Sequence, residues 1–171
     1  MIRPEAPAVV IGVGNVLLGD DGVGVRVVEA LRDAAAKDPS VLPAATRLVD
    51  GGTLGTQLLD VIARARSLLL LDALDLGRPA GTVSVLRDDG IAAAGAGPGR
   101  PDGGEGVNEL LGVARLAGWL PATVVLVGIQ VDDMSPGIGL SKRVEAAVPV
   151  AVEAARRELW VLDAVAEGMT A

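Results

Sequence analysis

The sequence predicts an α/β fold: a three-layer αβα sandwich around a five-stranded, mostly parallel twisted sheet with one antiparallel strand. Three observations carry that prediction. Short apolar runs alternate with helix-spaced apolar patterns along the chain, the signature of strands joined by crossover helices. Half of the residues are hydrophobic but only 1% are aromatic, with no Phe or Tyr and only Trp119 and Trp160 as large rings. A core of Val, Leu, Ile and Ala suits buried parallel strands covered by Ala-rich helices. Finally, 171 residues make one domain of ordinary size, expected to span 1–171.

The elements follow in order. The first strand is expected over 7–13 (PAVVIGV), running into a glycine-punctuated loop. Val25, Val28 and Leu31 then recur at helical spacing, predicting a helix from Asp21 to Ala36. A second strand is expected at 46–50 (TRLVD). Leu54, Leu58 and Val61 predict a helix from Thr53 to Ala65, with Thr53 as its N-cap after Gly51-Gly52. A third strand is expected at 67–72 (SLLLLD) and a fourth at 82–86 (TVSVL). No helix pattern separates these two, so a hairpin is expected, which makes the fourth strand antiparallel. Residues 90–106 (GIAAAGAGPGRPDGGEG) hold seven glycines and two prolines and read as a loop, either a surface linker or a mobile cover over a site. A helix over Val107–Ala117, a strand at 123–130 (TVVLVGIQ) and a helix over Ser141–Leu162 complete the order. Pro149 falls inside the last pattern and is expected to kink or divide it.

Composition excludes several functions. The formal net charge of −7 argues against a nucleic-acid partner, which requires a basic face. No apolar run approaches the roughly 20 residues of a membrane span. The N-terminus enters a strand pattern directly, without a signal-peptide pattern, so a cytoplasmic location is expected. Cysteine and histidine are both absent. Ser-His-Asp, Cys-His and HExxH chemistry are therefore impossible within this chain. Acid–base work must rest on carboxylates, lysine, water or a metal.

The candidate residues are acids at strand ends. Gly12-Val13-Gly14-Asn15 follows a strand, but the next glycine is Gly19 and no P-loop lysine follows, so neither nucleotide fingerprint is met. Asp20 and Asp21 also disfavour a bound pyrophosphate there, and by themselves read as helix-cap residues. Asp50 precedes Gly51-Gly52 and by itself reads as a turn residue. Asp72 ends a run of four leucines, where a carboxylate is costly without a partner. Taken together, these acids follow strands one, two and three, and adjacent parallel strands bring such positions to one rim. An all-oxygen cluster of this kind suits a divalent cation.

The stretches GVGNVLLGDDGVGVRVVEAL, LVDGGTLGTQLLDVI, SLLLLDAL and LVGIQ resemble the hydrogenase maturation endopeptidases, in order and over nearly the whole chain. The resemblance implies a phosphorylase/hydrolase-like five-stranded sheet between helices. It implies removal of a short C-terminal extension from the precursor of a [NiFe] hydrogenase large subunit after nickel insertion, by a monomer. The family site holds a metal through an acid in the first loop, an Asp after strand three and a His in a later loop. On this chain the first two fall on Asp21 and Asp72, and Asp50 falls on an acid linked with substrate recognition or function. The His position falls in RPDGGEG, on Asp102 or Gly103, with Glu105 nearby; Asp102 is taken as the third ligand. A carboxylate in place of imidazole weakens affinity for nickel. The implied cofactor is nickel borne by the substrate, or another divalent metal in its place. Two mechanisms stay open: metal-assisted attack by water, or a carboxylate acting as general base with the metal as a recognition tag. An alternative function is a catalytically impaired module that recognises the nickel-loaded precursor without cleaving it.

Overall fold

The computed structural model describes residues 6–94 and 107–168. Five strands, β1 (Ala6–Val13), β2 (Arg47–Gly52), β3 (Ala65–Leu74), β4 (Val83–Arg87) and β5 (Thr123–Gln130), form one sheet in the order β2-β1-β3-β5-β4. All neighbours are parallel except β4 and β5. The helices are α1 (Val23–Lys37), α2 (Leu59–Ala63), α3 (Asp89–Ala94), α4 (Val107–Leu116) and α5 (Lys142–Gly168).

Strand alternation divides the core in two. On β3, Leu69, Leu71 and Ala73 pack with Val28 and Leu31 of α1 and with Ala151 and Leu159 of α5. Leu68, Leu70 and Leu74 face the other way, toward Ile62 of α2, Ile91 of α3 and Leu110 of α4. With neighbours on both edges and cover on both faces, β3 reads as an almost unbroken apolar run, as a central parallel strand must.

Two glycines let α1 settle onto the strand ends. A Cβ on Gly24 would meet the carbonyl oxygens of Leu71 and Val13, at 2.2 and 2.4 Å. A Cβ on Gly12 would lie 2.3 Å from the Gly24 carbonyl oxygen. Only hydrogen fits at either position, so the first turn of α1 is held directly against the ends of β1 and β3.

The five predicted strands are all present, and four expectations are corrected. The fourth strand is antiparallel, but its partner is β5 and not β3. The link over 75–82 arches across the end of β5. Buried Gln130 holds it: its Oε1 accepts from the Leu76 and Arg78 N–H groups at 2.7 and 3.2 Å, and its Nε2 donates to Asp75 Oδ1 at 3.0 Å. Neighbouring strands stand about 4.8 Å apart, so this link easily spans the two spacings that a hairpin would not need. The helix expected over Thr53–Ala65 shrinks to a 3₁₀ turn, Gly55–Leu58, followed by the five residues of α2. Gly52 and Gly55 have φ of +44° and +51°, which a right-handed helix cannot accommodate, and Thr53 is not the cap: the turn's N-cap is Leu54, with no side-chain bond. Pro149 does not divide the last helix, which runs unbroken from Lys142 to Gly168. The loop expected over 90–106 begins as α3; its remainder lies outside the described residues.

Candidate active site

The connection from β1 runs to β2 on one side, and the next crosses back from β2 to β3 on the other side of β1. In an open α/β sheet, this reversal opens a crevice outside the carboxyl ends of the strands. Three sequence-predicted acids stand along that edge.

Asp21 lies in the 3₁₀ turn Gly19–Gly22 between β1 and α1, and this turn lies against β3. The chain reaches it through Gly14, whose φ of +128° turns the backbone out of β1. The half-buried Asp21 carboxylate accepts the Asn15 N–H at 2.7 Å through Oδ2. Asn15 Oδ1 in turn accepts the Leu17 N–H at 3.0 Å, so Asn15 folds the loop on itself.

Asp72 sits near the end of β3 and is only 4% exposed. The N–H of Ala73 donates to its Oδ1 at 2.8 Å. Across the sheet Asp72 pairs with Gly128, and Gly128 pairs with Ser84 on β4. Buried Ser84 accepts a 2.8 Å bond from the Arg78 guanidinium. Sequence reasoning did not reveal this row, because the insertion of β5 between β3 and β4 creates it.

Asp50 is exposed at the end of β2, in register with Gly12 of β1. Strand alternation puts it on the face of Leu48, beside α1, whereas Asp72 shares the face of Leu70 and Leu74. The structure therefore brings Asp50 and Asp72 to one edge but not to one face. Among the described residues, no three His, Cys, Asp or Glu side chains converge closely enough to hold a metal ion. Asp102, Gly103 and Glu105 lie outside the described residues.

The residue that the sequence did not disclose is Asp20. It was expected to cap a helix; instead the N-cap of α1 is Gly22, without a side-chain bond. Asp20 is fully buried. Its Oδ2 accepts the Asp132 N–H at 2.8 Å, the Asp133 N–H at 2.9 Å and the Ser141 hydroxyl at 2.9 Å, and its Oδ1 accepts the Ser141 N–H at 2.7 Å. Backbone bonds continue the link: Asp20 N–H to Asp133 O at 2.9 Å, Gly19 N–H to Gly137 O at 3.0 Å, and Gly137 N–H to Leu17 O at 2.8 Å. The β1–α1 loop that carries Asp21 is thus laced to the β5–α5 loop. Within the latter, the Ser135 hydroxyl and then its N–H hold the Asp133 carboxyl below its ordinary pKa.

Fold and site together define an α/β enzyme-type crevice equipped with carboxylates and lacking imidazole and thiol. The family model for hydrogenase maturation proteases matches residues 25–158. The hydrogenase expression/formation protein HupD of Rhodobacter capsulatus is 35% identical over 98% of this chain and 78% of its own length. The hydrogenase 2 maturation protease of Escherichia coli is 37% identical, over 89% of this chain and 92% of its own. The solved structure of the hydrogenase maturating endopeptidase HybD from E. coli superposes with a TM-score of 0.74 at 36% identity, covering 88% of this chain and 92% of that one. The chain belongs to the hydrogenase maturation protease family, and is thereby a peptidase. These relatives lend no support to the non-cleaving alternative.

Proposed function

We propose that this peptidase removes the C-terminal extension from the precursor of a [NiFe] hydrogenase large subunit once nickel is in place. Asp21 and Asp72 are the residues that address the metal, and Asp50 meets the surrounding substrate surface. The observation that carries this reading is the contact of the Asp21 turn with β3, at the edge where Asp72 ends its run of leucines.

In this reading nickel arrives with the precursor as part of the substrate, already held by substrate groups. Enzyme carboxylates then complete its coordination, which suits a site built without His or Cys. Engagement fixes the scissile peptide beside the acids, and proximity accounts for selectivity: a nickel-free precursor is not held in reach. Water then adds to the peptide carbonyl, activated by the metal or by a carboxylate as general base, and the C–N bond breaks to give a new carboxylate and a free amine. Asp102 is the proposed further ligand. The protein acts as a monomer in the cytoplasm, without nucleic-acid or membrane partners. The net charge of −7 speaks against a nucleic-acid partner, and among the described residues no helix is long and apolar enough to cross a membrane.

Incubating nickel-loaded precursor with wild-type, Asp21→Asn and Asp72→Asn proteins tests the reading, with the precursor's mass as readout. We expect the wild type to release the extension and each variant to be slower by about 100-fold or more, the usual cost of losing a positioned acid–base group. Unchanged cleavage by both variants overturns the assignment.

A further inference from the structure

The geometry points to the groove between α1 and the start of α5 as the docking site for an apolar, basic stretch of the precursor. This inference rests on the protease reading above and concerns a surface beside the acids, not the acids themselves. The groove encloses about 640 Å³ and begins at Val16, Gly19 and Gly22, on the loop that carries Asp21. Whatever fills it is therefore held next to the crevice.

Two features describe the occupant. The first is apolar surface left open on a rigid support. Ile138 is 89% exposed and Val16 is 44% exposed, with Leu140 and Val148 beneath them. The Gly137–Leu17 and Gly19–Gly137 backbone bonds fix the loops that present these side chains. A preorganised aliphatic anchor loses little freedom on binding, as the centre of an interface requires. The second is charge. Among the described residues, Glu29, Asp33 and Glu145 line the groove against a single cation, Arg26, which pairs with Glu29 at 2.7 Å. Among the described residues, no ion pair engages Asp33 or Glu145. A lysine- or arginine-bearing segment complements this rim. A second copy of this chain, with its own acidic rim and net charge of −7, is repelled by it.

The experiment measures kcat and KM on nickel-loaded precursor for wild type, Ile138→Asp and the double variant Asp33→Lys/Glu145→Lys, with binding of the intact precursor to each immobilised protein as a second readout. All three substituted side chains lie at the surface, and thermal melts verify that the variants fold. We expect KM and the dissociation constant to rise about tenfold or more in both variants, with the loss falling on KM and not on kcat. For the double variant, added salt is expected to narrow its gap from wild type, because screening removes the attraction that wild type enjoys. A wild type that cleaves while both variants keep its KM overturns the groove and leaves the protease reading intact. Self-association of the wild type on light scattering, abolished by Ile138→Asp, also overturns it, since a second copy then fills the groove. A wild type that never cleaves defeats the protease reading instead, and equal or unequal precursor binding by the variants still decides the groove.

Discussion

Asp20 and Asp21 are neighbours of identical chemistry, and the fold gives them different work. Asp21 is half-buried at the strand edge, whereas Asp20 is closed off from solvent and spends both oxygens on the β5–α5 loop. Hydrogen bonds to a charged acceptor contribute about 1.5–3 kcal/mol each, but donors in a loop can find water once the acceptor is gone. Asp20→Ala should therefore destabilise the protein by about 2–4 kcal/mol, and Asp20→Asn by less, since its amide oxygen can still accept on one side. Urea unfolding followed by circular dichroism measures both; a loss below about 0.5 kcal/mol in Asp20→Ala, the range of ordinary surface changes, refutes the clamp. The contrast explains what was legible at this scale. Asp21, Asp50 and Asp72 follow strands, a local property that the apolar runs display. The partners of Asp20 lie 112 to 121 residues further along the chain, beyond the reach of any local pattern. Asp72 was read as an acid needing a partner, and the Ala73 N–H supplies one from its own backbone.

Among the elements, the strands were easiest to read because burial on both faces leaves little choice of residue. The helices show how packing and glycine override periodicity in opposite directions. Leu54, Leu58 and Val61 have helical spacing, yet left-handed Gly52 and Gly55 hold the chain out of a helix until Leu59. In α5 the override favours the helix. Pro149 removes the N–H that would bond to the Glu145 carbonyl, a loss worth about 3 kcal/mol in a helix interior. Against it stands a continuous buried stripe of Val144, Ala147, Ala151, Ala155, Leu159 and Leu162. Fully burying each Val or Leu is worth about 1.5–3 kcal/mol, so the stripe outweighs the proline and the helix continues. Because Pro149 itself is exposed, replacing it should restore a backbone bond without disturbing the core. Pro149→Ala is expected to stabilise the protein by about 1–3 kcal/mol, no more than the full helix penalty, because at the exposed residue Glu145 water can compete for the carbonyl. Denaturant unfolding checks this, and a destabilised variant refutes the lost backbone bond as the dominant effect of Pro149.

For the whole molecule the decisive feature is strand order, and order was the part of the fold that the sequence concealed. Sequential strands usually pair, so a hairpin of β3 with β4 was the natural expectation. The link that carries the chain past β5 is held by Gln130, whose partners lie 52 to 55 residues earlier in the chain. The two orders make different demands on stability. In the hairpin order the last strand forms an edge; in the observed order β5 is interior, bonded to β3 on one side and β4 on the other. β1, β3 and β5 then share one cooperative core, with cover from α1 and α5 on one face and α2 and α4 on the other. β2 and β4 each have one open edge and expose part of their side chains. Amides of interior strands open only with global unfolding, whereas those of edge strands also open through local fraying. Native-state hydrogen exchange should therefore find the slowest amides at 67–74 and 124–129, with those of β4 that face solvent exchanging roughly 100-fold faster or more. Equal protection of β4 and β5, or a β5 that exchanges like an edge, contradicts the order β2-β1-β3-β5-β4. It would also remove the geometric basis for the Asp72–Gly128–Ser84 row, since that row exists only while β5 lies between the other two strands.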